Sequence, residues 1–189
     1  MNRRMMIAAA AALAATAALA VPAFAALDVG TKAPDFTLPG FNAGKPMTYS
    51  LAAARKKGPV VVYFFPAAFT GGCNAEANAF AEAMPDFQAA GATVIGMTAG
   101  NVDQLTRFSS EHCAGKFAVA AASPQIIADY DVRLRKPDGT ATNITNRTSY
   151  VIAPNGKILF VHSDMSAGGH IRATLAAVQE YRRAHPRRR

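Results

Sequence analysis

The sequence predicts an α/β fold in which a mixed β-sheet is flanked by helices. Apolar runs typical of strands alternate with segments of helical spacing, Pro and Gly residues separate them, and the last two apolar runs are joined by a tight turn. Alternation favours a sheet covered by helices, and the tight turn makes the final two strands antiparallel. Neither a repeat nor a long linker interrupts residues 26–189, so we expect one domain, which ends in a basic tail over residues 186–189.

Residues 1–25 have the layout of a Sec-type signal peptide. Two arginines within the first four residues precede the apolar run 7–20, and residues 23–25 supply the small-x-small pattern that signal peptidase reads. We therefore expect cleavage before Ala26 and a periplasmic or secreted protein. A membrane anchor is the alternative, but the apolar run is short for a spanning helix and rich in small residues.

The basic charge of the chain is concentrated near its C-terminus. The chain has 20 Lys and Arg against 12 Asp and Glu, a formal net charge of +8, and loss of Arg3 and Arg4 with the signal peptide leaves +8 − 2 = +6. Five of the remaining arginines lie within residues 182–189. A nucleic-acid surface needs Lys and Arg spread over one face with aromatics between them, so the sequence argues against nucleic acid as a partner. Contact of the tail with anionic lipid or peptidoglycan stays open.

The first half of the expected domain contains a long apolar strand followed by a helix. The predicted elements are an extended segment over residues 33–39 with a hairpin turn at 42–44, a short helix over 50–55, a strand over 60–65 and a helix over 74–87. The strand consists of six consecutive β-branched or aromatic residues, which indicates burial. Phe80, Met84 and Phe87 lie on one face of the following helix, and we expect Pro85 to kink or split it.

The second half continues the alternation and ends in a hairpin and a helix. The predicted elements are a strand over residues 91–97, a helix from 101 to about 112, a strand over 117–121, a helix beginning at 123–124, strands over 149–152 and 157–161, and a helix over 170–183. We expect Asn101 to cap its helix, with Gln104 three residues later. The last helix is expected to bury Ile171, Leu175 and Val178. This order of elements is that of thioredoxin-like folds.

The turn after the long strand places a thiol at the start of a helix. At that position unpaired N–H groups and the helix dipole favour a thiolate, the reactive form of cysteine, at Cys73. The dipole contributes under about 1 kcal/mol, whereas an arginine about 4 Å away contributes on the order of 4 kcal/mol at an effective dielectric near 20. Arg147 directly precedes a predicted central strand, where an arginine is otherwise costly. Arg147 is therefore the candidate cation.

Two other residues of this turn allow two interpretations each. Thr70 either directs its hydroxyl to a small oxygenated substrate or caps the helix, and Pro66 either shields a pocket from water or ends the strand. Export would bring Cys73 and Cys113 into an oxidising compartment, where a structural disulfide is the ordinary expectation. A structural bridge gains nothing from placing Cys73 on a strand-to-helix turn, which favours reactivity.

These residues resemble the motifs of the peroxiredoxins. Pro66, Thr70 and Cys73 match the P-x-x-x-T-x-x-C pattern, and Arg147 with the five residues after it resembles the R-x-T/S-F-x-I segment. Residues 33–38 resemble the N-terminal A-P-D-F-x-L segment. The similarity spans nearly all of the chain after residue 25. It is strongest to the PrxQ, or bacterioferritin-comigratory, branch, in which a glutamate often stands three residues after the cysteine.

The resemblance implies that Cys73 is the peroxidatic cysteine of a thiol-dependent peroxidase. Its thiolate would attack one oxygen of hydrogen peroxide or a small organic hydroperoxide and become a sulfenic acid, while Thr70, Arg147 and the Cys73 N–H hold the peroxide. The implied partner is a thiol reductant, either a thioredoxin-like protein or a low-molecular-weight thiol. No metal or flavin is implied, and the enzyme would be a monomer or a dimer.

The second cysteine departs from the commonest pattern of this branch. Many members carry a resolving cysteine five residues after the first, but that position is Asn78 here. The other thiol is Cys113, which some members of the branch place on the corresponding later helix. The resemblance thus favours an intramolecular disulfide between Cys73 and Cys113, which requires local unwinding around both. A one-cysteine enzyme is the alternative.

Other functions are less well supported by the sequence. A thiol–disulfide oxidoreductase of the same fold, or a metal chaperone, would need a close cysteine pair, which residues 73–76 lack. A non-catalytic domain with a permanent disulfide is a further alternative. His162, His170 and His185 have no metal-ligand spacing. Glu76 is expected to complement the helix dipole or to pair with a base such as Arg147.

Overall fold

The computed structural model describes residues 26–186. The predicted signal peptide, residues 1–25, and the arginines at 187–189 lie outside the described residues. Within residues 26–186, no helix is both long enough and apolar enough to cross a membrane.

A seven-stranded mixed sheet forms the centre of the fold. The strands are β1 (Thr37–Asn42), β2 (Lys45–Ser50), β3 (Val60–Phe64), β4 (Thr93–Thr98), β5 (Ala118–Ala121), β6 (Arg133–Arg135), β7 (Ala141–Thr145), β8 (Thr148–Ile152) and β9 (Ile158–Ser163). The main sheet has the order β2-β1-β5-β4-β3-β8-β9, and β6 and β7 form a separate pair that was not predicted. Strands β3, β4 and β5 are parallel, and the other neighbours in the main sheet are antiparallel.

Helices cover both faces of this sheet. They are α1 (Leu51–Arg55), α2 (Gly71–Ala89), α3 (Leu105–Glu111), α4 (Pro124–Asp129) and α5 (His170–Ala184), with short 3-10 turns at Val102–Gln104 and Ala167–Gly169. Strand β3 is buried on both sides. Val61 and Tyr63 face the apolar cluster formed with α2, α3 and α5, whereas Val60, Val62 and Phe64 face a second cluster on the opposite side. The predicted mixed sheet flanked by helices is confirmed.

Pro85 does not split α2, although a split was one of the two outcomes expected of it. The helix is continuous from Gly71 to Ala89 with Pro85 inside it. A proline removes one helical hydrogen bond. However, Phe80 and Met84 before Pro85, and Phe87 after it, are all buried in the core. Tertiary packing of this face supplies most of a helix's stability, so one missing bond does not end it.

Asn101 does not cap a helix through its side chain, which is a second correction. It has a left-handed φ of 54°, and its side-chain amide donates to the Ala68 carbonyl at 2.8 Å. Asparagine tolerates this backbone conformation better than most residues. The first turn after Asn101 is a 3-10 turn. The Asn101 side chain connects the loop after β4 to the turn that precedes Cys73.

Candidate active site

The turn between β3 and α2 brings Cys73 to the start of a helix. Phe69 in this turn has a left-handed φ of 60°, and Cys73 is the third residue of α2. The Asn74 N–H donates to the Thr70 carbonyl at 2.8 Å, which begins the helical hydrogen bonds. The N–H groups of the three residues before Asn74 precede that ladder. This arrangement binds anions at helix N-termini.

Arg147 lies beside Cys73. Its Nη2 donates to the Cys73 sulfur at 3.4 Å, and its Nε donates to the Met165 carbonyl at 3.0 Å. The two side chains meet because β8 pairs with β3, with Thr148 opposite Phe64, so that the residue before β8 lies at the end of β3. Cys73 is 1% exposed and Arg147 is 5% exposed, so water screens their interaction only weakly.

Glu76 shares the Arg147 guanidinium with Cys73. Arg147 Nη1 donates to Glu76 Oε2, which is the pairing expected for this glutamate. Burial raises the pKa of the Glu76 carboxyl to about 8, although Arg147 acts in the opposite direction. The other carboxyl oxygen, Oε1, is buried and has no hydrogen-bond partner among residues 26–186. Two acidic groups, a thiol and a carboxyl, thus face one cation.

Ser149 and His170 extend this polar group, and neither was predicted as a site residue. His170 Nδ1 lies 2.8 Å from Ser149 Oγ and 3.9 Å from Glu76 Oε1, and its Nε2 lies 2.8 Å from the Asp164 carbonyl oxygen. Burial lowers the pKa of His170 to about 4, so the ring is neutral at physiological pH.

The buried face of α5 includes Val178 as predicted but is centred on the side that carries His170. The fully buried residues of α5 are His170, Thr174 and Val178, whereas Ile171 and Leu175 are only partly buried. Spacing at i, i+4 and i+8 is the signal that relates the three buried residues. His170 and Thr174 are polar, so the pattern of apolar residues alone predicts that the neighbouring face of α5 is buried.

Thr70 and Pro66 lie at the entrance to the turn. Thr70 is exposed, and its hydroxyl donates to the Ala67 carbonyl at 3.1 Å instead of capping α2. The Pro66 carbonyl accepts from Thr98 Oγ1 at 3.0 Å. A Cβ at Gly100 would lie 2.4 Å from the Pro66 carbonyl oxygen, so only glycine permits this close approach. The loop after β4 therefore holds Pro66 in place.

Cys113 lies in the same apolar cluster as Cys73, and both cysteines are free. Cys113 follows the end of α3, is fully buried, and has its pKa raised by that burial. The neighbouring His112 contacts Asn78 of α2, with 3.3 Å between Nδ1 and Oδ1. Its ring also lies 5.2 Å from that of Phe69. The end of α3 thus packs directly against the first turns of α2.

The histidines do not form a recognisable metal site. Across the part of the chain that the structure describes, no three His, Cys, Asp or Glu side chains are grouped as a metal ion would need. His162 instead packs against His170, with ring centroids 4.5 Å apart, and His185 stacks on Tyr181.

Comparison with known proteins identifies the family. The AhpC/TSA family matches residues 29–161. Peroxiredoxin Q of Sedum lineare chloroplasts is 30% identical over 161 residues, covering 82% of this chain and 80% of that protein. The crystal structure of peroxidoxin BcpB from Mycobacterium tuberculosis has a TM-score of 0.69 and 27% identity, covering 80% of this chain and 96% of that one.

A third similar protein is the bacterioferritin comigratory protein of Xanthomonas campestris, which is described as having alkyl peroxide reduction activity. Its structure has a TM-score of 0.65 and 25% identity, and the match covers 76% of this chain and 91% of that one. These matches share the thioredoxin-like peroxiredoxin fold seen here. The chain belongs to the AhpC/TSA family as a peroxiredoxin related to the PrxQ and bacterioferritin-comigratory proteins, and it is a thiol-dependent peroxidase, an oxidoreductase.

Proposed function

We propose that Cys73 is the peroxidatic residue and that it reduces hydrogen peroxide and small organic hydroperoxides. The observation that carries this proposal is the contact of 3.4 Å between Arg147 Nη2 and the Cys73 sulfur at the start of α2. A guanidinium and a helix N-terminus both stabilise a thiolate. The alkyl peroxide reduction activity of the similar Xanthomonas campestris protein supports organic hydroperoxides as substrates.

In the proposed step the Cys73 thiolate attacks one peroxide oxygen. The S–O bond forms as the O–O bond breaks, so that sulfur is oxidised to a sulfenic acid and the peroxide is reduced to water or an alcohol. Arg147 and the Cys73 N–H stabilise the charge that moves onto the departing oxygen. The peroxide reaches the sulfur past exposed Thr70, Gly71 and Gly72. The Thr70 hydroxyl oxygen can then accept a hydrogen bond from the peroxide.

Cys113 is proposed to resolve the sulfenic acid by forming an intramolecular disulfide and releasing water. While Cys113 is buried, its raised pKa keeps it a protonated thiol and a poor nucleophile. Unwinding of the first turn of α2 and of the end of α3 would expose both sulfurs to one another and to water. Formation of the Cys73–Cys113 disulfide therefore requires local unfolding. If that unfolding does not occur, the protein acts as a one-cysteine enzyme.

The reductant and location belong to the same proposal. A thiol reductant is common to peroxiredoxins, and an exported enzyme would take its electrons from an exported thioredoxin-like protein or from a low-molecular-weight thiol. Export rests on the signal-peptide pattern of residues 1–25. Because that compartment is oxidising, a resolved Cys73–Cys113 disulfide would be its resting form without the reductant.

Thiol counting after one turnover tests the assignment of both cysteines. The reduced protein is mixed with one equivalent of hydrogen peroxide, and free thiols and intact mass are measured for the wild type, Cys73→Ser and Cys113→Ser. We expect the wild type to lose both thiols with the mass of two hydrogen atoms, and Cys113→Ser to gain one oxygen atom. Retention of the Cys113 thiol in the oxidised wild type would establish a one-cysteine enzyme. Peroxide consumption by Cys73→Ser at the wild-type rate would refute the proposal.

A further inference from the structure

A buried polar group adjoins Arg147 and has no part in the peroxidase step described above. It consists of Glu76, Ser149 and His170, which are 1%, 0% and 0% exposed, together with the main-chain carbonyl of Asp164. Ionisable side chains are rarely this buried unless they are paired. The group lies where α2, β8 and the start of α5 meet.

The hydrogen bonds of His170 fix which of its nitrogens carries the proton. A carbonyl oxygen only accepts, so Nε2 carries the hydrogen and donates to Asp164. Nδ1 is then an acceptor, and Ser149 Oγ donates to it. The same Nδ1 faces Glu76 Oε1 at 3.9 Å, and that oxygen is the one without a partner among the described residues. Nδ1 carries no hydrogen to donate, so Oε1 is a buried oxygen that no donor within residues 26–186 reaches, and this favours a proton on that oxygen.

Charge balance also favours a proton on Glu76 while Cys73 is a thiolate. Arg147 is the cation that contacts both Cys73 and Glu76. The other titratable groups nearby are Tyr63 on β3, whose pKa burial raises, His162 on β9, which packs against His170, and the exposed Asp164 side chain, which acts on His170. If Cys73 and Glu76 were both ionised beside neutral His170, one buried negative charge would lack a partner, which is strongly unfavourable.

We infer that Glu76 and His170 form a proton-storing pair, which holds one proton while Cys73 is a thiolate and releases it when peroxide oxidises Cys73. This inference rests on the proposed role of Cys73. Thiolate, hydroperoxide and protonated Glu76 give sulfenic acid, alcohol and Glu76 carboxylate. The S–O bond forms, the O–O bond breaks, and the departing alkoxide gains the proton. The carboxylate that remains replaces the thiolate as the anion paired with Arg147.

His170 acts in this scheme as a positioning residue, because it does not touch the peroxide or the sulfur. Its neutral ring turns the electron-rich Nδ1 toward Glu76 and offers no hydrogen to Oε1, which stabilises the protonated carboxyl over the carboxylate. Ser149 and Asp164 hold the ring in that tautomer. The helix start at His170 is fixed further by Thr174, whose hydroxyl donates to the His170 carbonyl at 2.7 Å.

Infrared difference spectroscopy tests the pair directly. Cys113→Ser protein is reduced, and one equivalent of hydrogen peroxide is added so that Cys73 stops at the sulfenic acid. We expect the carbonyl stretch of one protonated carboxylic acid to disappear for each Cys73 oxidised. Adding Glu76→Gln should abolish this band, whereas Glu82→Gln, an exposed glutamate on the same helix, should leave it unchanged. His170→Asn should shift its frequency, because the group facing Oε1 changes.

The possible results separate this inference from the proposed function. Sulfenic acid detected by mass without loss of a carboxylic acid band overturns the proton-storing pair and leaves the role of Cys73 intact. A band that persists in folded Glu76→Gln, or an unshifted band in His170→Asn, also overturns it. Absence of the sulfenic acid overturns both. The His170→Asn shift identifies the carboxyl independently if Glu76→Gln fails to fold.

Discussion

Replacing Arg147 with Gln is expected to slow the reaction with peroxide about a thousandfold. Two unit charges 3.4 Å apart, the distance from Nη2 to the Cys73 sulfur, attract each other by about 5 kcal/mol at an effective dielectric of 20. A glutamine amide can still donate a hydrogen bond to the thiolate, which recovers on the order of 1 kcal/mol of the stabilisation that Arg147 supplies. The remaining loss of about 4 kcal/mol corresponds to nearly three factors of ten in kcat/KM.

Stopped-flow measurement of kcat/KM with hydrogen peroxide checks this magnitude. Arg135→Gln is the matched control, since Arg135 is exposed on the separate β6–β7 pair. Arg147→Lys is expected to fall between wild type and Arg147→Gln, because lysine keeps the charge but cannot contact Cys73, Glu76 and Met165 with one planar group. Combining Arg147→Gln with Glu76→Gln removes the buried Glu76 carboxyl that loses its partner Arg147, so that loss of folding is not mistaken for loss of chemistry.

A folded Arg147→Gln variant that reacts within tenfold of the wild-type rate would contradict this role of the guanidinium. In that case the N–H groups at the start of α2 would suffice to stabilise the thiolate. An equal loss in Arg135→Gln would point instead to long-range steering by net charge.

Two further predictions concern the surroundings of Arg147. The folded protein keeps the Glu76 proton to about pH 8, whereas the unfolded chain loses it near pH 4.5, so this group makes the free energy of unfolding fall as pH rises between these values. The pKa of His170 is lowered from 6.5 to about 4, so His170 has the opposite effect, but only below pH 6.5. Urea unfolding between pH 6.5 and 8 should therefore give Glu76→Gln a slope less negative than wild type by up to about 1.4 kcal/mol per pH unit, and equal slopes would contradict the raised pKa. Gly72→Ala should lower kcat/KM by roughly tenfold, because its Cβ would lie 3.4 Å from Arg147 Nη2. Gly71→Ala, which meets nothing within 4 Å, should react like wild type, and similar rates for both variants would show that Arg147 has room to move.

The meeting of Cys73 and Arg147 was predictable because both lie next to strands that the sequence marks clearly. Arg147 directly precedes one buried apolar run, Cys73 follows the turn after another, and the pairing of these two strands brings their ends together. Glu76 was predictable for a similar reason, since it lies one helical turn after Cys73. Local spacing therefore sufficed for the thiol, the cation and the carboxyl.

The group behind Arg147 was not predictable in this way. His170 reaches Ser149 and Glu76 only through the packing of α5 on the sheet, and a lone histidine at a helix start has no distinctive spacing. Asn101 does not cap its own helix, because its side chain donates to the Ala68 carbonyl in a turn that is distant in sequence. Pro85 does not split its helix, because apolar packing around it outweighs its local propensity. In each case a long-range contact decided the outcome.

The contact between Asn78 and His112 gives the two cysteine arrangements of the PrxQ branch a common location. Asn78 holds the position where many members place the second thiol on α2, and its side chain touches the residue next to Cys113. A thiol at either position thus begins from the same small region between two helices. The resolving thiol proposed for this protein therefore requires no additional element of the fold, because the end of α3 already contacts the helix that carries Cys73.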